Sequence, residues 1–167
     1  MSHPTDHEKL WELIKDIKFG MLVHIHGDGM LHSHPLTTQN KAMDEGAVLY
    51  FFISAASEIA TGIAANGNVN VSYADPGAVS YVSISGTGQI SNDRTKKEQL
   101  WSAMDKPWFP GGPTDEDLAL LEVRISHAEY WDSSDSKMVQ LAKMAKAAVT
   151  GERVRNLSEH KELHITS

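Results

Sequence analysis

The sequence predicts a mainly β fold, an antiparallel barrel of six or seven strands with small helices closing its ends. Three observations carry this. β-prone runs follow one another through turn residues such as Gly27-Asp-Gly29 and Asp75-Pro-Gly77. The run from Val79 to about Ser91 contains Gly86-Thr-Gly88, which suits a bulge or sharp bend at a barrel corner. True strand–helix–strand repeats, which a parallel sheet would need, are few.

Taken in order, Thr5 or Asp6 can cap a first helix over about residues 7–17, where Leu10, Leu13, Ile14 and Ile17 form one apolar stripe. The period then changes to two. Residues 19–26 and 30–38 read as strands of a hairpin around Gly27-Asp-Gly29. A polar connection, 39–46, leads to the strand 47–54, and a short helix over 57–65 is closed by Asn66-Gly67. Val69, Val71 and Tyr73 alternate along the next strand, before the long one that contains Gly86. Asn92 or Asp93 caps a helix to about Met104. Lys106-Pro-Trp-Phe-Pro-Gly-Gly-Pro113 is too rich in proline and glycine for regular structure and reads as a rigid aromatic loop. Two strands, 118–126 and 128–132, and a helix over about 136–149 follow. The polar tail, 152–167, shows no element. No linker or repeat divides the 167 residues, which read as one domain with its core in about 5–150.

Composition narrows the function. The net charge of −7 and scattered Lys and Arg argue against a nucleic-acid binder. No apolar run approaches the roughly 20 residues of a membrane span, and Met1 to His7 lacks a signal-peptide pattern. A cytoplasmic location is the expectation. With no cysteine, disulfides and thiolate metal sites are excluded. There is no Gly-x-Ser-x-Gly elbow, no His-Glu-x-x-His and no Gly-rich phosphate loop. No convincing catalytic acid or base stands out.

Two features bear on binding. Leu49-Tyr-Phe-Phe-Ile-Ser-Ala-Ala-Ser57 is an aromatic strand running into a helix start, and such junctions gather backbone N–H groups that favour an anion such as phosphate. The hairpin carries His24, His26, His32 and His34. A metal site is the tempting reading. A two-residue Asp28-Gly29 turn would pair His26 with Leu31 and His24 with Ser33. That register puts the first two histidines on the face opposite to the last two, and no metal is expected. A three-residue loop would bring all four together.

The order of motifs is more specific than any one of them. Gly20-Met-Leu-Val23, Leu31-His-Ser-His-Pro-Leu36, Leu49 to Ser57, Val69 to Gly77, Tyr81-Val-Ser-Ile-Ser-Gly86, Trp108-Phe-Pro-Gly-Gly-Pro113 and Glu129-Tyr-Trp-Asp132 occur in sequence. Together they resemble the general stress protein 26 family, within the pyridoxamine 5′-phosphate oxidase-like, FMN-binding split barrels. The resemblance covers about residues 5–150. It implies a split-barrel homodimer with FMN at the interface, acting as a weak or accessory oxidoreductase. The alternative is a dimer that has lost flavin and serves as a non-enzymatic binding or stress-associated module. Carried over residue by residue, the cofactor positions are His34, Pro35, Leu36, Ile53, Ser54, Ser57 and Ile59, with Trp108 and Trp131 as covering aromatics. Three positions depart from the family's pattern. His34 stands for its usual Arg, Ile53 for its Thr and Ile59 for its Lys, so the resemblance implies an FMN site that is weak or lost.

Overall fold

The computed structural model describes residues 4–44, 46–133, 137–153 and 159–165. Among these residues, seven strands form one antiparallel sheet, with four α-helices beside it. The strands are β1 (Phe19–Ile25), β2 (Leu31–Thr37), β3 (Val48–Ser54), β4 (Asn68–Asp75), β5 (Ser80–Ser91), β6 (Leu118–Asp132) and β7 (Glu159–Leu163). The helices are α1 (Asp6–Ile14), α2 (Glu58–Ala65), α3 (Arg94–Leu100) and α4 (Lys137–Thr150).

The sheet order is β2-β1-β4-β5-β6-β3, with β7 added beside β6. Its two ends, β2 and β3, curl toward each other and meet at a single bridge between Thr38 and Phe51. Asn40 extends this seam. Its side-chain oxygen accepts from the Tyr50 N–H, and its amide donates to the Val48 carbonyl, both at 2.8 Å. A sheet closed along most of its circumference and joined so lightly at one seam is a split barrel.

Curvature comes from the expected glycine. The β5–β6 register shifts between Ser85 and Gly86, and a Cβ at Gly86 would run into the Arg124 carbonyl. The interior is filled by alternate residues of the strands, including Leu22, Phe51, Val71, Ile84, Leu121 and Val123, with Leu10 and Ile14 of α1 packed against them. Fully burying each such side chain stabilises by about 1.5–3 kcal/mol. Of the two caps the sequence offers, Thr5 or Asp6, it is Thr5 that caps α1, in a capping box with Glu8.

Three boundaries differ from the sequence expectation. The two strands expected at 118–126 and 128–132 are one continuous strand. The first half of β6 pairs with β3, the second half pairs with β7, and β5 runs along its other edge. The helix expected to reach Met104 stops at Leu100, because Ser102 and Asp105 open a separate 3-10 turn over Ala103–Asp105. The tail expected to be without structure contributes β7, a polar strand held by its pairing with β6. The expected start of the last helix, Ser136, lies outside the described residues.

Candidate functional site

The β1–β2 register decides the site. Leu22 lies opposite His34, and His24 opposite His32. The loop between them has three residues, Gly27, Asp28 and Gly29. The Gly29 N–H donates to the His26 carbonyl and the His26 N–H to the Met30 carbonyl, each at 2.8 Å. Asp28 Oδ1 accepts from the Met30 N–H at 2.8 Å, and Gly29 takes a φ of 81°. This is a turn followed by one left-handed residue, not a two-residue hairpin turn. The two-residue reading, which put His24 and His26 opposite to His32 and His34, is therefore corrected: all four imidazoles share the inner face. The register argument against a metal falls with it.

The rings are close. His26 and His32 stack with centroids 4.1 Å apart, and His24 and His34 stack at 5.2 Å. His24 has no exposed surface. Burial first, and then the neighbouring His34, push its pKa below the ordinary value of 6.5; His26 and His32 add to this and Glu58 opposes it. The inner imidazole is thus held neutral.

Helix α2 covers the cluster. Ser57 caps it, its Oγ accepting from the Ala60 N–H at 3.2 Å and donating to the Ser54 carbonyl at 2.7 Å. Glu58 and Gly62 are four residues apart and so lie on one side of the helix. Gly62 lets that side approach β1: a Cβ there would sit 2.5 Å from His24 Cδ2 and 3.0 Å from the Ile25 carbonyl. Glu58 consequently hangs over the histidines. Its carboxylate oxygens lie 3.0 Å from His34 Nε2, 3.5 Å from His26 Nδ1 and 3.6 Å from His32 Nδ1. His32 Nε2 in turn lies 3.5 Å from Asp28 Oδ2. The Met30 N–H, aided by His26 and His32, holds the Asp28 carboxyl below its usual range.

These approaches are side by side rather than head-on. Among the described residues, His26 Nδ1, His34 Nε2 and both ring nitrogens of His24 are buried without a hydrogen-bond partner. A buried polar atom left unpaired costs about 1–3 kcal/mol, and several at one spot mark a place built for something else.

The residues carried over from the flavin-binding pattern divide. His34 meets the start of α2 through Glu58. Ile53 and Ile59 are buried in the apolar core and offer no polar group. Ser54 Oγ donates to Asp117 Oδ1 at 2.8 Å. Pro35 points outward and Leu36 packs against the core. Trp108 is 79% exposed in its loop, while its neighbour Phe109 packs with Phe52, Leu100, Leu118 and Leu120. Trp131 lies on β6, three strands along the sheet from β1, and stacks on His160 with centroids 4.7 Å apart. A phosphate monoester wants cations and free donors. This junction instead presents the carboxylates of Glu58 and Asp117, with both serine hydroxyls engaged, and does not fit the phosphate end of FMN. Glu58 and Asp28 were not singled out from the sequence. The only available signal was their position, Glu58 next to a helix cap and Asp28 inside the histidine-flanked turn.

The curled seven-stranded sheet and the light seam between β2 and β3 define a split-barrel protein. Residues 5–155 match the family model described as pyridoxamine 5′-phosphate oxidase like, and the chain belongs to that family. A general stress protein 26 from Jannaschia sp. CCS1 is 26% identical, with a TM-score of 0.71 over 92% of this chain and 94% of that one. The general stress FMN/FAD binding protein of Xanthomonas citri is 29% identical, with a TM-score of 0.68 over 78% of this chain and 90% of that one. Protein bli-3 of Neurospora crassa is 26% identical over 105 residues, 55% of this chain and 50% of that protein. The chain thus spans half the length of this curated relative.

Proposed function

We propose that this chain is a general-stress-type split-barrel binding module in which the phosphate end of an ancestral flavin pocket has become a histidine–carboxylate centre. FMN is then held weakly or not at all. The observation that carries this is the Glu58 carboxylate, 3.0 Å from His34 Nε2 at the start of α2. A negative charge occupies the place where a phosphate would need a positive one, and two like charges at such range repel by several kcal/mol in a partly buried site. The reading includes a homodimer. Phe19, Met21 and Leu31 on the outer face of the β1–β2 hairpin are exposed, and a shared apolar face of this kind suits a second copy of the chain. Sedimentation velocity gives a dimer on this reading and a monomer against it.

The test is a titration of FMN fluorescence. The wild-type chain should leave it unquenched at low micromolar protein, and His34→Arg with Glu58→Gln should gain at least tenfold in FMN affinity. Tight wild-type binding would overturn the reading. A second reading, a working FMN-dependent oxidoreductase, is favoured by the likeness to the Xanthomonas citri FMN/FAD binding protein. That same titration separates the two.

A further inference from the structure

We propose that the β1–β2 hairpin and the start of α2 form a binding site for one divalent first-row transition-metal ion, held by His26, His32, His34 and Glu58. This rests on the reading that the pocket has been rebuilt away from phosphate, and it names what the rebuilt pocket takes. His32, His34 and Glu58 already place one ligand atom each within 4.8 Å of the others. His34 Nε2 and His32 Nδ1 lie 3.0 and 3.6 Å from Glu58 Oε1, which brackets the ~3.3 Å edge of a tetrahedron whose metal–nitrogen bonds are about 2.0 Å, and His26 Nδ1 lies 3.5 Å from the other carboxylate oxygen, Oε2.

Orientation agrees with distance. His34 Nε2 and His26 Nδ1 lie within reach of the Glu58 carboxylate, yet neither makes a hydrogen bond with it. Groups that sit beside one another without bonding head-on are arranged as ligands of a common centre are. Neutral imidazole is the form that ligates. Three nitrogens and one carboxylate suit zinc, cobalt, nickel or copper, and suit magnesium or calcium poorly. His24 lies behind the set, buried, its two nitrogens without partners. It stacks on the His34 ring with centroids 5.2 Å apart, so it is a positioning residue. Asp28, beside His32 Nε2, takes the outer-shell role of orienting that ring.

The test uses the full chain without a histidine tag, stripped with chelator and titrated with zinc chloride at neutral pH by calorimetry. The expected result is one saturable ion per chain, proton release on binding and a raised Tm. Cobalt in place of zinc should give the visible bands of a four-coordinate centre. His32→Ala and Glu58→Gln should each weaken zinc at least tenfold, while His127→Ala on β6 should leave it unchanged. His26→Asn, at the solvent-facing end, serves if either variant fails to fold by circular dichroism. Absence of a saturable zinc event, or wild-type affinity in both His32→Ala and Glu58→Gln, would overturn the proposal. FMN titrated in parallel keeps the two readings apart. If neither ligand binds, the metal assignment fails alone; if FMN binds tightly, the reading beneath it fails as well.

Discussion

Two histidine–carboxylate clusters occur at different places on this sheet, and they are not alike. On β6 and β7, His127, Glu129 and Glu162 come together at the surface, and His160 Nε2 lies 2.9 Å from Glu129 Oε2 in a hydrogen bond. Solvent and neighbours satisfy those groups. On the β1–β2 hairpin the same residue types are covered by a helix, with four ring nitrogens buried and unpaired. Residue type therefore does not distinguish a site from a decorated surface here. Burial without satisfaction does, because it is stable only where something else repays it.

The contrast can be broken in order of expected effect. Gly62→Val forces a side chain into the space of His24 and the Ile25 carbonyl. Overpacking of this kind costs about 1–3 kcal/mol, several degrees in Tm for a domain of this size, and it should lift Glu58 from the histidines. Unchanged stability in a thermal melt would mean that α2 does not press on β1. His24→Leu removes two unpaired nitrogens at similar volume. The metal-free chain should gain on the order of 1 kcal/mol, and an equal loss in urea titration would show that His24 has a partner.

Acidification acts on the same residue. Its folded pKa lies below the ordinary 6.5, so the unfolded chain takes up the proton first. Stability from this group is full above about pH 6.5 and falls as the pH drops toward the folded value. His26, His32, His34 and Glu58 face it. The urea midpoint of the metal-free chain should fall between pH 7.5 and 5.5, and fall less in His24→Leu. The smallest effect belongs to the other cluster. His127→Ala should stay within about 0.5 kcal/mol of wild type in the same urea titration.

Much of the fold was legible because its signals are local. Thr5 announced a helix start, Ser57 another, and Gly86 a bend. What escaped depends on partners. Glu159 to Leu163 is too polar to read as a strand and becomes one only beside β6. The site was misread for a similar reason. Asp28-Gly29 looks like the centre of a two-residue turn, but Asp28 bonds forward to Met30 and leaves the left-handed position to Gly29 alone. That single residue of register turned two pairs of histidines into one group of four. Glu58 could not be recognised before that register was known, since its partners come from the hairpin and not from its own helix.

Anomalous diffraction from crystals grown with zinc locates the ion. A zinc peak is expected among His26, His32, His34 and Glu58 at the start of α2. A peak confined to His127, Glu129 and Glu162, or none on the chain, would contradict it.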